Sequence, residues 1–302
     1  MTNDRRTIIG IGEVLWDLLP GGAVCGGAPA NFACHAAALG GAAAVVSSVG
    51  DDPLGERAVA TIAARGVDCR HIRRDGHHPT GTVDVAINAS GEATYTFAAD
   101  TAWDHLAWDD ALGPLAAAAA AVCFGTLGQR SPVSRDTIRR FVAATPRDAL
   151  RVFDVNLRQD FHSPALIRES LAVASVLKLN EEELPVVAAA CGIGHGDPVA
   201  ALRELSARHS LRLAALTCGA AGSLLVAGDE VSRRAAEPTV VVDTVGAGDA
   251  FTAAVVEGML AARPLEEIHG RAGRLAAFVC SQPGAMPPPV ASAGTSSGDS
   301  RS

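Results

Sequence analysis

Aromatic side chains are scarce in this 302-residue chain: one tyrosine, three tryptophans and eight phenylalanines make up 4% of it. Few stacking platforms are therefore on offer for nucleobases. The formal net charge of −8 leaves no basic stripe for nucleic acid or anionic lipid. No CxxC pair occurs, no Cys/His cluster has zinc-ligand spacing, and the histidines form no HxxH or HExxH grouping. The seven cysteines (Cys25, Cys34, Cys69, Cys123, Cys191, Cys218, Cys280) sit in apolar segments and read as buried, reduced thiols. No apolar run is long enough for a bilayer; the Ala-rich stretch Leu115 to Val122 falls far short. Met1 to Thr7 is short and charged and runs straight into a strand pattern, so no signal peptide and a cytoplasmic location are expected. None of this excludes a phosphate-bearing ligand, because backbone N–H groups can cradle phosphate without a basic surface.

What the chain does have is alternation of strand-length apolar runs with longer helical patterns, which predicts βαβ units and a mostly parallel sheet. Strands are expected at Ile8–Ile11, Ala43–Val49, Ala121–Phe124, Leu150–Val155, Val176–Leu179 and Leu213–Thr217. Helices are expected at Asn31–Leu39, Leu54–Arg65, Arg135–Ala144, Pro164–Ala174, Glu182–Ala190 and Pro198–His209. Gly81 to Ala98 breaks the rhythm. Two alternating runs flank Ala89-Ser90-Gly91 and predict a β-hairpin, either a lid over a site or an antiparallel edge of the main sheet. After Pro287-Pro288-Pro289 the residues 291–302 are small and polar and are expected to be disordered.

The strongest chemical signal is Asp243-Thr244-Val245-Gly246-Ala247-Gly248-Asp249-Ala250-Phe251. It lies between an apolar, strand-like run at Thr239–Val242 and a helical pattern at Ala250–Ala262. Two glycines let a backbone turn approach an anion, and the free N–H groups of a helix start point at it. Asp249 sits at that same helix start as a carboxylate able to accept a proton. An anion cradle beside a base is what phosphoryl transfer to a hydroxyl requires. A dinucleotide fingerprint is excluded by Phe251 at its third glycine position, and a Walker loop by the absence of a following lysine. A plain helix N-cap after a Gly-rich turn stays open on spacing alone.

The segment Asp243 to Phe251 resembles the C-terminal signature of the ribokinase-like (PfkB) carbohydrate kinases. Gly26-Gly27-Ala28-Pro29-Ala30-Asn31 resembles that family's N-terminal glycine signature, and Lys178-Leu179-Asn180-Glu181-Glu182-Glu183 its N-x-x-E motif. Asp154-Val155-Asn156-Leu157-Arg158 and Thr217-Cys218-Gly219 fall in the expected order between them. The resemblance implies one three-layer α/β/α kinase domain over residues 1–290, with a mostly parallel central sheet and a small β lid from about 13–25 and 80–99. It also implies ATP and Mg²⁺, with K⁺ in many members, a sugar substrate, and a homodimer through the lid strands.

Carried over residue by residue, the resemblance makes Asp249 the catalytic base and the backbone of Gly246, Ala247 and Gly248 the anion hole. Asp17, Gly26, Gly27 and Asn31 would hold sugar hydroxyls, with Trp103 either stacked on the sugar or packed in the core. Arg158, Asn180, Thr217, Gly219, Thr244 and Gly248 would lie along the ATP phosphates. Asn180 and Glu183 would organise Mg²⁺ through water, and Asp243 and Val245 a K⁺ site through backbone carbonyls. Taken singly, Asp17 could be a turn cap, Glu183 a helix-surface carboxylate and Arg158 a surface ion pair.

The GGAPAN block, the Gly12-Glu13 start, His78-Pro79-Thr80-Gly81-Thr82 and Val279-Cys280-Ser281-Gln282-Pro283-Gly284 look most like bacterial fructokinases. Ala28-Pro29 and Leu15 stand where ribokinase itself has polar groups, which weighs against ribose. The implied reaction is fructose to fructose 6-phosphate. A kinase for 2-dehydro-3-deoxygluconate would need a cation near the lid, for which Arg73 and Arg74 are the nearest candidates. A nucleoside kinase fits the low aromatic content less well. A non-catalytic sugar-binding relative would be expected to lose Gly246, Gly248 or Asp249, all present here.

Overall fold

The protein, seen in a computed structural model, is described over residues 7–19, 21–87, 93–194 and 196–288. The first apolar run forms strand β1 (Thr7–Ile11), followed by the short strands β2 (Leu15–Leu19) and β3 (Gly22–Gly26) and helix α1 (Ala28–Ala38). Next come β4 (Ala43–Gly50), α2 (Pro53–Ala63), β5 (Ile72–Asp75), β6 (Gly81–Ile87) and β7 (Ala93–Phe97). A one-turn 3₁₀ helix at Ala102–His105 leads to α3 (Leu112–Ala117), β8 (Ala119–Phe124), α4 (Pro132–Ala144) and β9 (Leu150–Asp154). The chain continues through α5 (Pro164–Val173), β10 (Val176–Asn180), α6 (Glu183–Cys191), α7 (Pro198–His209) and β11 (Leu213–Thr217). It closes with the hairpin β12 (Ser223–Ala227) and β13 (Glu230–Arg234), then α8 (Ala247–Leu260) and α9 (Leu265–Cys280).

Nine strands form one sheet in the order β13-β12-β11-β10-β9-β8-β1-β4-β5. Neighbours from β5 to β11 pair parallel, and β12 and β13 add antiparallel at one edge. A parallel sheet covered on both faces must be apolar on both, and β4 shows it: all eight of its residues are buried. Its Val45 joins the core under α1, α2, α8 and α9, while Val46 joins the core under α3 to α7. This is the mostly parallel sheet that the alternating pattern predicts, in the three-layer α/β/α arrangement that the resemblance implies.

The segments Leu15–Leu19, Gly22–Gly26, Gly81–Ile87 and Ala93–Phe97 make a second sheet, ordered β3-β2-β6-β7. The hairpin therefore does not extend the edge of the main sheet. Its β6 pairs parallel with β2, so the small sheet is assembled from two distant stretches of chain. The turn at Ala89-Ser90-Gly91 and the segment 291–302 lie outside the described residues.

Two further expectations are corrected. Thr239–Val242 is not a strand: Val240 is 82% exposed, and the Val242 and Asp243 amides both donate to the Cys280 carbonyl at the end of α9. Val240, Val241 and Val242 are all exposed, so the run buries no face of the kind a strand in this sheet would. The long helix α9 was not anticipated, although Leu265, Ile268, Ala272 and Val279 give it a buried face.

The start of α2 ties the two sheets together. Asp52 caps the helix by accepting from the Gly55 amide at 2.8 Å. It also accepts from the Thr80 amide at 2.8 Å and the Thr80 hydroxyl at 2.7 Å, where the chain enters β6. Replacing Asp52 with Ala removes a cap and this second anchor, and should cost about 1–3 kcal/mol. Urea unfolding monitored by circular dichroism measures that loss.

Candidate active site

Strand order reverses at β1, whose neighbours are β4 and β8. In such sheets ligands bind beyond the carboxyl ends of the strands at the point of reversal. Glu13 follows β1 there, while Asp154, Asn180 and Thr217 are the last residues of β9, β10 and β11. The N-terminus of α8 meets them from above the sheet.

Gly246 caps α8 with φ +80°, and a Cβ at that position would sit 2.4 Å from the Ala285 carbonyl oxygen. Only glycine fits both the left-handed backbone and the close approach. The first-turn amides of a helix lack intrahelical partners, so this turn presents donors and a positive dipole end. Asp249 stands in that turn, half-buried, and its Oδ2 accepts from Asn31 Nδ2 at 2.8 Å. Burial pushes the Asp249 carboxyl up to about 7; the Asp154 charge adds to the rise, while Lys178, Asn31 and Arg158 pull the other way. A carboxyl poised there exchanges a proton readily near neutrality.

Beneath the turn lies Lys178, the single lysine of the chain. Its ammonium reaches Asp154 Oδ1 at 3.0 Å, both side chains being buried. Lys178 and Asp154 are register partners on adjacent parallel strands, which sets their side chains alongside one another. The other Asp154 oxygen accepts from the Thr252 hydroxyl at 3.0 Å. A Cβ on Gly248 would fall 2.8 Å from Lys178 Nζ, so the ammonium sits directly against the helix start. Burial works against the charged amine, but Asp154, Glu183 and Asp249 outweigh it and raise its pKa.

Across the turn, Gly27 caps α1 with φ +111°, and a Cβ there would meet the Glu13 carbonyl oxygen at 2.4 Å. That tight entry lets α1 begin beside β1 and brings Asn31, one turn in, to Asp249. Asn31 Oδ1 is buried without a hydrogen-bond partner. Glu13 Oε1 accepts from the Ala28 amide at 3.2 Å, and its Oε2 is likewise buried and unpartnered. Burial pushes Glu13 to about 7, with Asp249 adding to the rise and Arg158 opposing it. Asp17 projects from β2, its Oδ2 3.1 Å from where a Cβ on Gly26 would lie. Burial raises its pKa against the pull of Arg158.

Asn180 and Glu183 form a reciprocal cap. Asn180 Oδ1 accepts from the Glu182 and Glu183 amides, each at 2.9 Å, and Glu183 Oε2 accepts from the Asn180 amide at 2.8 Å. Glu183 Oε1 accepts from the Leu157 amide at 2.8 Å, which pins the Asn156–Arg158 loop. The Glu181 amide donates to the Thr217 carbonyl at 3.0 Å and joins the ends of β10 and β11. Gly219, Thr244 and Arg158 are exposed along this edge. Asp243 folds its loop back on itself, accepting from the Val245 amide at 3.0 Å and the Gly284 amide at 3.1 Å.

The family described as pfkB family carbohydrate kinase matches residues 22–291. The chain belongs to this family. It is 36% identical over 280 residues to a fructokinase of Klebsiella pneumoniae, across 89% of this chain and 87% of that one. It is 30% identical over 234 residues to an aminoimidazole riboside kinase of Salmonella typhimurium, across 75% and 70% of the two chains. Among solved structures, a sugar kinase from Pyrococcus horikoshii in complex with ATP superposes with a TM-score of 0.78 at 28% identity, covering 92% of this chain and 94% of that one.

In this pfkB kinase the structure joins Asp249 directly to Asn31, and puts Gly246, Ala247 and Gly248 in the turn around it. Asp17 and Arg158 lie near enough for their charges to influence one another. Trp103 is corrected: it is 2% exposed, packed with Leu15, Val83, Val85 and Leu127, and covered by Arg130 at 4.0 Å from its ring. It is a core indole with no face free for a sugar. Lys178, Asp154, Thr252 and Glu13 are the site residues that motif reasoning did not assign. The signal for two of them was a charged residue in an otherwise apolar central strand.

Proposed function

We propose that this kinase transfers the γ-phosphoryl group of ATP to a hydroxyl of fructose, giving fructose 6-phosphate and ADP. The observation that carries the reading is the Asp249 carboxyl, near pKa 7, set among the first-turn amides of α8 and bonded to Asn31. Asp249 takes the proton of the attacking hydroxyl as the new O–P bond forms and the bond to the β-phosphate oxygen breaks. The amides of Gly246, Ala247 and Gly248 receive the charge on the transferring group. Arg158 adds a cation from the exposed loop. The unpartnered Asn31 Oδ1 is an acceptor waiting for a sugar hydroxyl. Asp17 reaches the sugar from the small sheet, which serves as the lid.

Thr217, Gly219 and Thr244 edge the nucleotide side. The donor set suits Mg²⁺ held through water: each Glu183 oxygen accepts one amide and so keeps capacity to accept from a water on the ion. Bound there, the ion supplies charge neutralisation to the phosphates. The Asp243 carboxylate is spent on two amides, so a K⁺ at this loop would take main-chain carbonyls of Asp243 and Val245.

Fructose is favoured over a sugar acid because the candidate cations are engaged elsewhere. Arg73 donates to the Ala107 carbonyl at 3.2 Å, and Arg74 lines a surface hollow with Asp51, Asp52 and Glu56. The burial of Trp103 removes one stacking platform for a heteroaromatic riboside. ADP release measured with fructose, ribose, 2-dehydro-3-deoxygluconate, adenosine and aminoimidazole riboside decides the substrate. Fructose should give the highest kcat/KM; a larger value for any other substrate overturns the choice of sugar. Asp17→Ala should raise KM for the sugar at least tenfold, with KM for ATP nearly unchanged, in line with roughly 1.5–3 kcal/mol for a hydrogen bond to a charged group. Equal rises in both would take Asp17 out of the sugar pocket.

A further inference from the structure

Helix α1 carries a second buried polar side chain, to which the reaction described above gives no part. His35 follows Asn31 by one turn, so the two project from the same face of the helix. Its neighbours along the chain, Ala33, Cys34 and Ala36, are buried and apolar. A buried imidazole in such a segment needs a partner, and it has one far away in sequence: His35 Nε2 lies 2.9 Å from the Ala285 carbonyl oxygen. A carbonyl can only accept, so the proton is on Nε2 and the ring is the donor. Burial lowers the His35 pKa; the bond to Ala285 opposes that, and the Arg65 charge adds to it.

Ala285 belongs to the strap that leaves the end of α9 and passes against the phosphate turn. The carbonyl oxygen that His35 holds is also the first atom that a Cβ on Gly246 would strike, with Ala285 Cα at 2.7 Å and its Cβ at 2.8 Å. Gly246 is therefore seated directly on Ala285, with no slack between the cap of α8 and the strap. One residue earlier, the Gly284 amide donates to Asp243 Oδ2 at 3.1 Å. The strap is thus held from the turn by Asp243 and from α1 by His35. Through one face, α1 bonds Asp249 inside the first turn of α8 and the support beneath the cap of that turn.

Ala285 is buried, so loss of the imidazole donor leaves its carbonyl without a partner, and the strap must shift to regain one. The cap of α8 shifts with it. A misplacement of about an ångström among groups that meet the transferring phosphoryl can cost up to roughly a hundredfold in rate.

We propose that His35 is a positioning residue for phosphoryl transfer: through the Ala285 carbonyl it fixes the strap on which Gly246 sits, and so aims the first-turn amides of α8. The inference rests on that turn receiving the transferring group and is indifferent to which sugar accepts it.

Steady-state kinetics on the full chain, with ATP and the sugar that the wild type turns over fastest, test it in His35→Leu and His35→Gln. Leucine fills space without a donor, whereas glutamine restores an N–H donor on a side chain of similar reach. Circular dichroism checks that each variant is folded; should His35→Leu fail to fold, His35→Phe takes its place as the ring without a donor. His35→Leu should lower kcat by roughly tenfold or more and leave KM for the sugar within about threefold, because Asp17 and Asn31 are untouched. His35→Gln should return kcat to within about threefold of the wild type. A purely packing role gives the opposite order, with the apolar residue tolerated and the amide not. Unchanged kcat in the folded variant without a donor, or equal losses with leucine and glutamine, overturns the proposal. Asp249→Ala assayed alongside keeps the two readings apart. Normal turnover there would remove the turn itself from the chemistry, whereas an inactive Asp249→Ala beside a normal His35→Leu would remove only the role of His35.

Discussion

Asp249→Ala should lower kcat by roughly 10²–10⁴ while leaving sugar affinity within a few-fold, because a general base acts on the transition state rather than on bound sugar. Asn31 loses its partner in that variant, so some rise in KM for the sugar is expected, but far less than the fall in kcat. Asp249→Asn adds a stability readout. In the wild type the carboxyl titrates at about 7, against about 3.9 for an unfolded Asp. The native state therefore binds the extra proton through that window, and the wild type loses stability as pH rises across it. The amide variant has no such proton, so its stability relative to the wild type should increase from acid to neutral pH. Urea midpoints of the two proteins measured side by side give the sign. A constant difference would mean that Asp249 is not held in a desolvated site.

Lys178→Met should be the most damaging substitution outside the phosphate turn. It leaves Asp154 as an uncompensated buried charge, a change worth about 3–5 kcal/mol of stability. It also removes the cation that opposes the elevated Asp249 pKa, so the acid limb of the activity profile should move to higher pH. Folding and chemistry separate in a double variant. Lys178→Met with Asp154→Asn removes both charges and retains an acceptor for Thr252, so stability should largely return. Asp154→Asn also lifts a charge that raises Asp249, so the acid limb should return toward its wild-type position, while turnover stays low because the ammonium against the start of α8 is still missing. Full recovery of turnover together with stability would reduce Lys178 to a structural residue.

The parts of the site legible in sequence were those made by local chain. The Asp243–Phe251 loop is a turn plus a helix start, and its glycines and carboxylate carry their geometry with them; α8 starts within three residues of the expected point. Asn180 and Glu183 were legible as a pair, since i, i+3 spacing at a helix start makes a reciprocal cap. The parts that were hidden depend on pairing between distant segments. Lys178 meets Asp154 only through the β9–β10 register, and Asn31 meets Asp249 only because α1 packs on α8. The small sheet was expected, at about 13–25 and 80–99, only through the family resemblance, because β2 and β6 are far apart in sequence and pair parallel. Trp103 was open to either reading from the sequence, and it fills a core under Arg130; the apolar run Thr239–Val242 stays exposed and bonds to the end of α9 instead of joining a sheet.

The pH dependence of kcat/KM for the sugar, taken on the wild type beside Glu13→Gln, goes to the centre of the account. The two carboxyls both titrate near 7, so a limb that persists in the Glu13 variant belongs to Asp249. Activity should fall as pH drops through about 7 in both proteins. A flat profile down into the ordinary carboxylate range, about pH 4, would mean that no desolvated carboxyl takes the hydroxyl proton.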